Sequence, residues 1–342
     1  MKSVNRSKLV RSIIIMLILM MFAVSAAGCG SQTADTAAAE NEDSTESSAQ
    51  SVKYIYGIPM DEDAAVVVEN VADVYEKPDV SSARITQVLC NQPVHIDSEE
   101  GGWSKVKTVS GLTGWIKTKF ISDDISSLTG RVFTYRIIVT SREKTVYSGP
   151  DGGITMLNAY MGTEFYAFNN ISDAYEVFLP GNRTGWLKGS GIIRIPVDDA
   201  IPVTNADDFA STALKFKGMS FMLNGMSALG IDAPNLVYIC ARINGVNVPI
   251  TLEGQLNTGI QIDIDEVRAG DLVFLSRNSG SEYSGDSEDS QDNQDREITS
   301  VGICIGGGNY IYAGRKTGYV AIGDIYRENA DGIVAEARRI FN

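Results

Sequence analysis

The chain has 342 residues, of which 44% are hydrophobic and 21% charged, and its 43 acidic against 29 basic side chains give a net charge of −14. This acidity excludes a protein that binds nucleic acid by neutralising phosphates with a basic face. The length predicts about two or three domains, and the hydrophobic content is enough to build their cores. His95 is the only histidine, so chemistry that needs an imidazole has a single residue available.

The N-terminus has the composition of a secretory signal peptide, predicted over residues 1–28. Four basic residues and no acid precede the apolar run Ile13 to Val24, which is too short for a bilayer span but right for a signal-peptide core. Small residues directly before Cys29 resemble the bacterial lipobox, which implies that Cys29 is diacylated and becomes the new N-terminus. The alternative is ordinary cleavage near Ala27. Lipidation predicts export across the cytoplasmic membrane and a lipid anchor in the bacterial cell envelope.

Residues 29–52 are rich in Ala, Ser, Thr, Gln and Glu and have no periodic apolar pattern, which predicts a flexible tether. The cysteines beyond the tether, Cys90, Cys240 and Cys304, are odd in number and scattered, so they predict neither a disulfide framework nor a metal site. We therefore expect no metal and no cofactor.

Short β-branched and aromatic runs, separated by turn residues, follow one another from residue 64 to about 122. This spacing predicts a small antiparallel β-barrel in a first domain, residues 53–124. His95 alternates with apolar neighbours in one of these strands and is interpreted as a solvated side chain.

A second copy of this pattern follows the first. The segment Thr113 to Lys117 recurs as Thr184 to Lys188, 71 residues further on, which predicts a second barrel in a domain spanning residues 125–198. Residues 64–122, and more weakly 131–196, resemble bacterial SH3 domains, modules that commonly hold enzymes on the cell wall.

The pattern changes to α+β in a third predicted domain, residues 199–342. Phe209 begins a segment with helical spacing, and Asp232 is a good N-cap for a second helix whose apolar stripe includes Cys240. Cys240 and Cys304 are therefore interpreted as core residues. Four apolar runs, 272–275, 301–305, 310–312 and 318–322, predict strands, and the three glycines after residue 305 predict a tight turn rather than a phosphate loop.

The segment 278–298 interrupts this predicted sheet with Ser, Gly, Asn, Gln and seven acidic residues. Its composition predicts a disordered acidic loop. Calcium binding is the alternative, although the segment has no regular Asp-x-Asp-x-Asp-Gly pattern.

Four segments of the third domain resemble, in order, the motifs of the NlpC family of cell-wall cysteine peptidases. They are residues 218–237, 249–255, 269–274 and 300–306. The resemblance implies a papain-like fold and an enzyme that hydrolyses γ-D-glutamyl-diamino-acid bonds in the stem peptides of peptidoglycan. The chain is thus identified as multidomain, with two small all-β SH3-like barrels before an α+β papain-like domain.

The residues at the family's catalytic positions differ from those of its enzymes. The family's cysteine begins a helix and is activated by a histidine, which a third polar residue orients. The aligned positions here are Ala233, Ser300 and Tyr312. Pro234 also removes a backbone N–H that an oxyanion hole would use.

These replacements favour a lipid-anchored pseudoenzyme that binds peptidoglycan stem peptides, or an envelope partner, without cutting them. Asp232, Gln255 and Tyr312 are its candidate ligand-binding residues, with helix capping the alternative for Asp232 and core roles the alternative for the other two. A second hypothesis is an active cysteine peptidase in which His95 serves Cys90, Cys240 or Cys304. A third is a structural or regulatory envelope protein whose acidic segment engages a basic partner or a cation.

Overall fold

The computed structural model describes residues 53–129, 132–278 and 296–341, which belong to one unit of the chain, Ser51 to Asn342. The predicted signal peptide, lipidation site and tether lie outside the described residues, as does most of the acidic segment. The described chain is mostly β, and its helices are few. None of these helices is long and apolar enough to cross a membrane.

The first sheet has seven antiparallel strands in the order β5-β4-β8-β7-β6-β3-β9, and a two-stranded hairpin, β1 (Tyr54–Ile55) and β2 (Ile58–Pro59), precedes it. Alternate side chains along its strands fill one apolar core, as a half-buried sheet requires. The strands are β3 (Ala64–Val67), β4 (Val71–Tyr75), β5 (Arg84–Leu89), β6 (Pro93–Glu100), β7 (Trp103–Thr108), β8 (Thr113–Lys117) and, after a 3-10 turn, β9 (Ile121–Ser122).

The second sheet has the same topology as the first. Its strand order is β12-β11-β15-β14-β13-β10-β16, in which each strand takes the place of the corresponding strand of the first sheet. Its strands are β10 (Tyr135–Val139), β11 (Glu143–Gly149), β12 (Gly152–Tyr160), β13 (Glu164–Ile171), β14 (Ala174–Leu179), β15 (Arg183–Lys188) and β16 (Ile192–Pro196).

The Gly-Trp repeat has a steric explanation in these sheets. Trp115 pairs with Tyr75 on β4, and Trp186 pairs with Tyr147 on β11. A Cβ on the preceding Gly114 would lie 2.7 Å from the Tyr75 carbonyl oxygen, and one on Gly185 would lie 2.5 Å from a Val146 methyl group. Only glycine lets the two strands approach so closely at either position.

The C-terminal part is a six-stranded antiparallel sheet, β19-β24-β20-β21-β22-β23, with three helices and one further hairpin. The helices are α1 (Ala206–Leu214), α2 (Ala233–Ile243) and α3 (Leu252–Leu256). The hairpin is β17 (Met226–Ser227) with β18 (Gly230–Ile231), and the sheet strands are β19 (Ile260–Ile262), β20 (Leu272–Asn278), β21 (Arg296–Gly306), β22 (Asn309–Ala313), β23 (Val320–Asp324) and β24 (Ile333–Arg339); a 3-10 turn, Ile264–Glu266, follows β19.

Both faces of this sheet are buried, which accounts for the continuous apolar run at the start of β20. Leu272 and Phe274 join the core formed with α1 and α2, whereas Val273 and Leu275 join a second core on the opposite face. Successive strand side chains point to opposite faces, so one run supplies both cores.

The three sheets are joined by shared packing. Leu89, at the end of β5, and Met161, directly after β12, are buried in the same core as Ile239 on α2. A Cβ on Gly162, whose φ is +88°, would lie 2.5 Å from an Ile239 methyl group. The close approach of this turn to α2 therefore depends on glycine.

Most elements predicted from periodicity are confirmed, including both predicted helices, strands β3 and β5 to β8 of the first sheet and the hairpin turn at Gly307. The predicted acidic loop is too long at both ends. Asn278 pairs with Arg296, and Ser276 pairs with Ile298, so the ends of 278–298 belong to β20 and β21. The helix that contains Phe209 spans Ala206–Leu214.

Candidate functional site

A cavity of about 560 Å³ lies at the first turn of α2. The first sheet contributes Ile85 and Leu112 to its wall, so two parts of the fold build it together. The remaining lining residues are Phe221, Leu223, Asn224, Asp232, Ala233, Pro234, Asn235, Ile250, Thr251, Leu252, Arg277, Thr299, Ser300, Ala313, Arg315 and Asp331. No cysteine or histidine is among these described lining residues.

Asp232 fixes the start of α2 and the loop beside it. Its Oδ1 accepts a hydrogen bond from the Asn235 N–H at 3.1 Å, and its Oδ2 accepts one from the Asn224 N–H at 2.7 Å. The predicted N-cap is therefore confirmed, and such a cap contributes about 1 kcal/mol to helix stability. Burial raises the pKa of the Asp232 carboxyl, against the lowering effect of these hydrogen bonds.

Two of the three aligned catalytic positions meet at the cavity. Ala233 is the first residue of α2, and Ser300 lies on β21 where it pairs with Leu275. Both line the cavity. The structure thus brings together the two positions that the family resemblance places side by side.

Tyr312 is buried on β22 and does not line the cavity, although the next residue, Ala313, does. Its ring lies 5.3 Å from that of Tyr310. Burial, with the nearby Asp331 charge, raises the pKa of Tyr312 to about 12. The phenol is therefore neutral near pH 7 and is no base.

Gln255 is fully buried on α3, also away from the cavity wall. Its Nε2 donates to the carbonyl oxygens of Pro234, at 2.8 Å, and Pro249, at 2.9 Å. The side chain thereby ties the start of α2 to the segment before α3. Its Oε1 has no hydrogen-bond partner.

The charged end of the cavity was not predicted from the sequence. Arg277, Arg315 and Asp331 come from β20, the turn after β22 and the loop before β24. Asp331 Oδ1 accepts from the Lys316 backbone N–H at 2.9 Å and lies 3.5 Å from an Arg277 guanidinium nitrogen. The three residues form no local motif, so only the fold reveals the cluster.

Hydrogen bonds from β5 hold the loop that forms one cavity wall. The Arg84 guanidinium group donates to the Leu223 carbonyl oxygen at 2.8 Å, and the backbone carbonyl oxygen of Arg84 accepts from the Asn224 side-chain amide at 2.6 Å. Gln87 Oε1 accepts from the Met226 N–H at 2.9 Å. The first sheet therefore shapes the cavity as well as lining it.

The thiols of the described chain are poor nucleophiles. Cys90, Cys240 and Cys304 are all buried, as predicted for the last two. Burial raises the pKa of Cys90 to about 12 and raises the pKa of the other two thiols as well. The reactive thiolate is therefore disfavoured at each.

His95 lies on β6, as predicted, but its side chain is only 24% exposed. Its ring nitrogens face carboxylate oxygens of Asp61, at 3.5 Å, and Asp97, at 3.6 Å. Among the residues that the structure describes, no group of three or more His, Cys, Asp or Glu side chains is placed to hold a metal ion.

Comparisons with known proteins agree with this architecture. Residues 70–122 match the family model of the bacterial SH3 domain. Gamma-D-glutamyl-L-lysine dipeptidyl-peptidase of Bacillus subtilis (strain 168) is 24% identical over 253 residues, 68% of this chain and 73% of its own. Dipeptidyl-peptidase 6 of Lysinibacillus sphaericus is 23% identical over 221 residues, 62% of this chain and 81% of its own.

Solved structures show the same fold. An NlpC/P60 family protein from Bacillus cereus ATCC 10987 matches with a TM-score of 0.69 at 20% identity, over 82% of this chain and 100% of its own. An NlpC/P60 endopeptidase from Photobacterium damselae subsp. piscicida matches with a TM-score of 0.52 at 12% identity, over 82% of this chain and 72% of its own. The chain therefore has a bacterial SH3 domain and an NlpC/P60 fold. It is homologous to the Bacillus subtilis dipeptidyl-peptidase, and both predicted resemblances are confirmed at this level.

Proposed function

We propose that the protein is a lipid-anchored, non-catalytic protein of the cell envelope that binds peptidoglycan stem peptides. The observation that carries the proposal is the cavity at α2, which Ala233 and Ser300 line together without a thiol or an imidazole. On this interpretation the C-terminal part is a papain-like domain, and the second sheet is a second SH3-like barrel.

The chemistry of the cavity supports binding without cleavage. Ala233 has no nucleophilic atom, and Ser300 has no imidazole among the lining residues to remove its proton. Pro234 offers no backbone N–H to a developing oxyanion. On this proposal the nucleophile, the base and one oxyanion-hole donor are each missing.

The size and lining of the cavity support a peptide ligand. About 560 Å³ lies within the range of small-molecule sites, roughly 300 to 1,000 Å³. The lining combines apolar side chains, such as Leu112 and Phe221, with arginines and hydroxyl groups. The name of the similar Bacillus subtilis peptidase supplies the peptide class, a γ-D-glutamyl peptide.

An active peptidase is the competing function, favoured by the similarity to two dipeptidyl-peptidases. Incubating the purified full chain with the stem tripeptide L-Ala-γ-D-Glu-L-Lys separates the two. We expect saturable binding in calorimetry and no release of free amines. Cleavage that thiol alkylation abolishes would overturn the proposal in favour of the peptidase, and failure to bind would also overturn it.

Two leucines provide a matched test that binding occurs in this cavity. Leu223 and Leu229 are similarly exposed, at 52% and 55%, but only Leu223 lines the cavity. Leu223→Ser removes apolar contact with the peptide, so we expect weaker binding of the tripeptide. Leu229→Ser should bind it like the wild type. Equal affinities of the two variants would place binding elsewhere.

The lipid anchor is a proposal of its own, based on the lipobox resemblance around Cys29. Diacylation of Cys29 should hold the protein in the membrane fraction of cells that express it. We expect Cys29→Ala to shift it to a soluble fraction or to leave it uncleaved. A mature N-terminus without lipid, measured by mass spectrometry, would contradict the anchor.

A further inference from the structure

Two arginines line the cavity, one from strand β20 and one from the turn after β22 of the C-terminal sheet. Arg277 lies near the end of β20, and Arg315 lies two residues after β22. Both line the cavity beside Ser300. Positive charge at this point is notable because the whole chain carries a net charge of −14.

The carboxylates that line the cavity leave one of these cations without a partner. Asp232 uses both oxygens to accept backbone N–H groups. Asp331 is 2% exposed, and its Oδ1 is shared between Arg277 and the Lys316 N–H. Its Oδ2 is enclosed against Gly314. Among the described residues, no carboxylate lies within ion-pair distance of Arg315.

We infer that Arg315, supported by Arg277, binds a carboxylate group of the ligand, which makes the preferred ligand an acidic peptide. Arginine suits this role because its planar fork of N–H groups matches a carboxylate. The apolar lining residues Leu112, Phe221 and Leu223 would contact the uncharged part of the same ligand. This inference rests on the proposed peptide-binding function and adds a specificity to it.

A γ-linked glutamyl residue carries the kind of group that we expect Arg315 to bind, a free carboxylate. Because its peptide bond uses the side-chain carboxyl, its α-carboxylate stays free. Replacing that carboxylate with a carboxamide removes the charge and changes little else. A pair of tripeptides that differ only in this group therefore tests the assignment.

The experiment measures binding of the two probes to the purified full chain by calorimetry. The probes are L-Ala-γ-D-Glu-L-Lys with a free or an amidated glutamyl α-carboxyl group, both amidated at the C-terminus. The wild type should prefer the free carboxylate by about tenfold or more, as expected for a charge-assisted hydrogen bond. That preference should shrink as salt is raised.

Arg315→Gln should lose the preference while its affinity for the amidated probe stays unchanged. Because Arg315 is exposed, this substitution leaves the core intact. The matched control is Arg327→Gln, since Arg327 is 82% exposed and does not line the cavity. It should bind both probes like the wild type.

The outcomes separate the inference from the proposed function. Equal binding of both probes by the wild type would overturn the carboxylate specificity and leave peptide binding intact. A preference that survives in Arg315→Gln would overturn the role of Arg315. Binding of neither probe would overturn the proposed function and the inference together.

Discussion

Ala233 is the first residue of α2 and lines the cavity. The peptide dipoles of α2 place partial positive charge at this end, which favours a nearby anion. A thiolate at this position would be stabilised, whereas the methyl group of Ala233 gains nothing from the field. The start of α2 is therefore an environment that would favour a thiolate, and the residue there is an alanine.

This view predicts the behaviour of a restored pair. In Ala233→Cys with Ser300→His, the helix end and the imidazole should lower the pKa of the new thiol to about 7.5 or below. Iodoacetamide should then alkylate it near neutral pH, with a rate that rises as the thiolate forms. The pH profile of alkylation, followed by mass spectrometry, measures this.

The single variant Ala233→Cys and the wild type are its controls. The buried native thiols of the wild type should stay unmodified in the folded state. The single variant should react only at higher pH. A double variant with the same pH profile as the single variant would show that residues 233 and 300 do not interact.

The helices and strands that were predicted correctly are those in which the spacing of apolar residues agrees with the buried face of the element. The apolar stripe of α2 and the strands of the first sheet are examples. Strand β24 was missed because Ile333 to Arg339 is rich in Ala, Glu and Arg, which favour helices, yet it lies between β19 and β20 in the sheet. Pairing on both edges overrides local propensity there.

The residues of the cavity likewise include some that the sequence predicted and some that it did not. Ala233 and Ser300 were found because they lie in motifs of fixed spacing. Arg277, Arg315 and Asp331 were not, since strand order rather than spacing brings them together. Gln255 and Tyr312 lie inside the core beside the cavity.

The glycine of the Gly-Trp repeat should be required for the stability of the first sheet. In Gly114→Ala, the new Cβ would meet the Tyr75 carbonyl oxygen at 2.7 Å and an Ile85 methyl group at 2.5 Å. A backbone carbonyl in a paired strand cannot move cheaply, so the free energy of unfolding should fall by about 1 to 3 kcal/mol. Urea denaturation measures the change.

Thr113→Ala, one residue earlier and exposed, is the control and should change stability little. Gly185→Ala should behave like Gly114→Ala, because a Cβ there meets Val146 and the Tyr147 carbonyl. A variant at either glycine that is as stable as the wild type would refute the steric explanation of the repeat.

At the scale of the whole molecule, a buried charge cluster joins three parts of the fold. Glu164 on β13 lies 2.8 Å from a guanidinium nitrogen of Arg242 on α2 and 3.6 Å from one of Arg136 on β10. The Tyr56 hydroxyl of the N-terminal hairpin donates to the same carboxylate. Arg242 also lies over the Tyr56 ring, 4.1 Å from its centroid.

Removing the one carboxylate should therefore weaken the whole junction. Glu164→Gln leaves two largely buried guanidinium groups without an anion, which we expect to lower the free energy of unfolding by about 3 to 5 kcal/mol. Glu143→Gln, an exposed glutamate on β11, should be near neutral. Equal urea midpoints for the two variants would show that the cluster does not stabilise the junction.

The hydrogen bonds from β5 to the Leu223 loop have a consequence for engineering. The first sheet contributes part of the cavity wall and holds the loop beside it, so the C-terminal domain does not carry the whole cavity. Grafting the C-terminal domain alone would leave out the part of the cavity wall that Ile85 and Leu112 form. Exchanging the first domain for another would alter ligand choice without any change to the residues around Ala233.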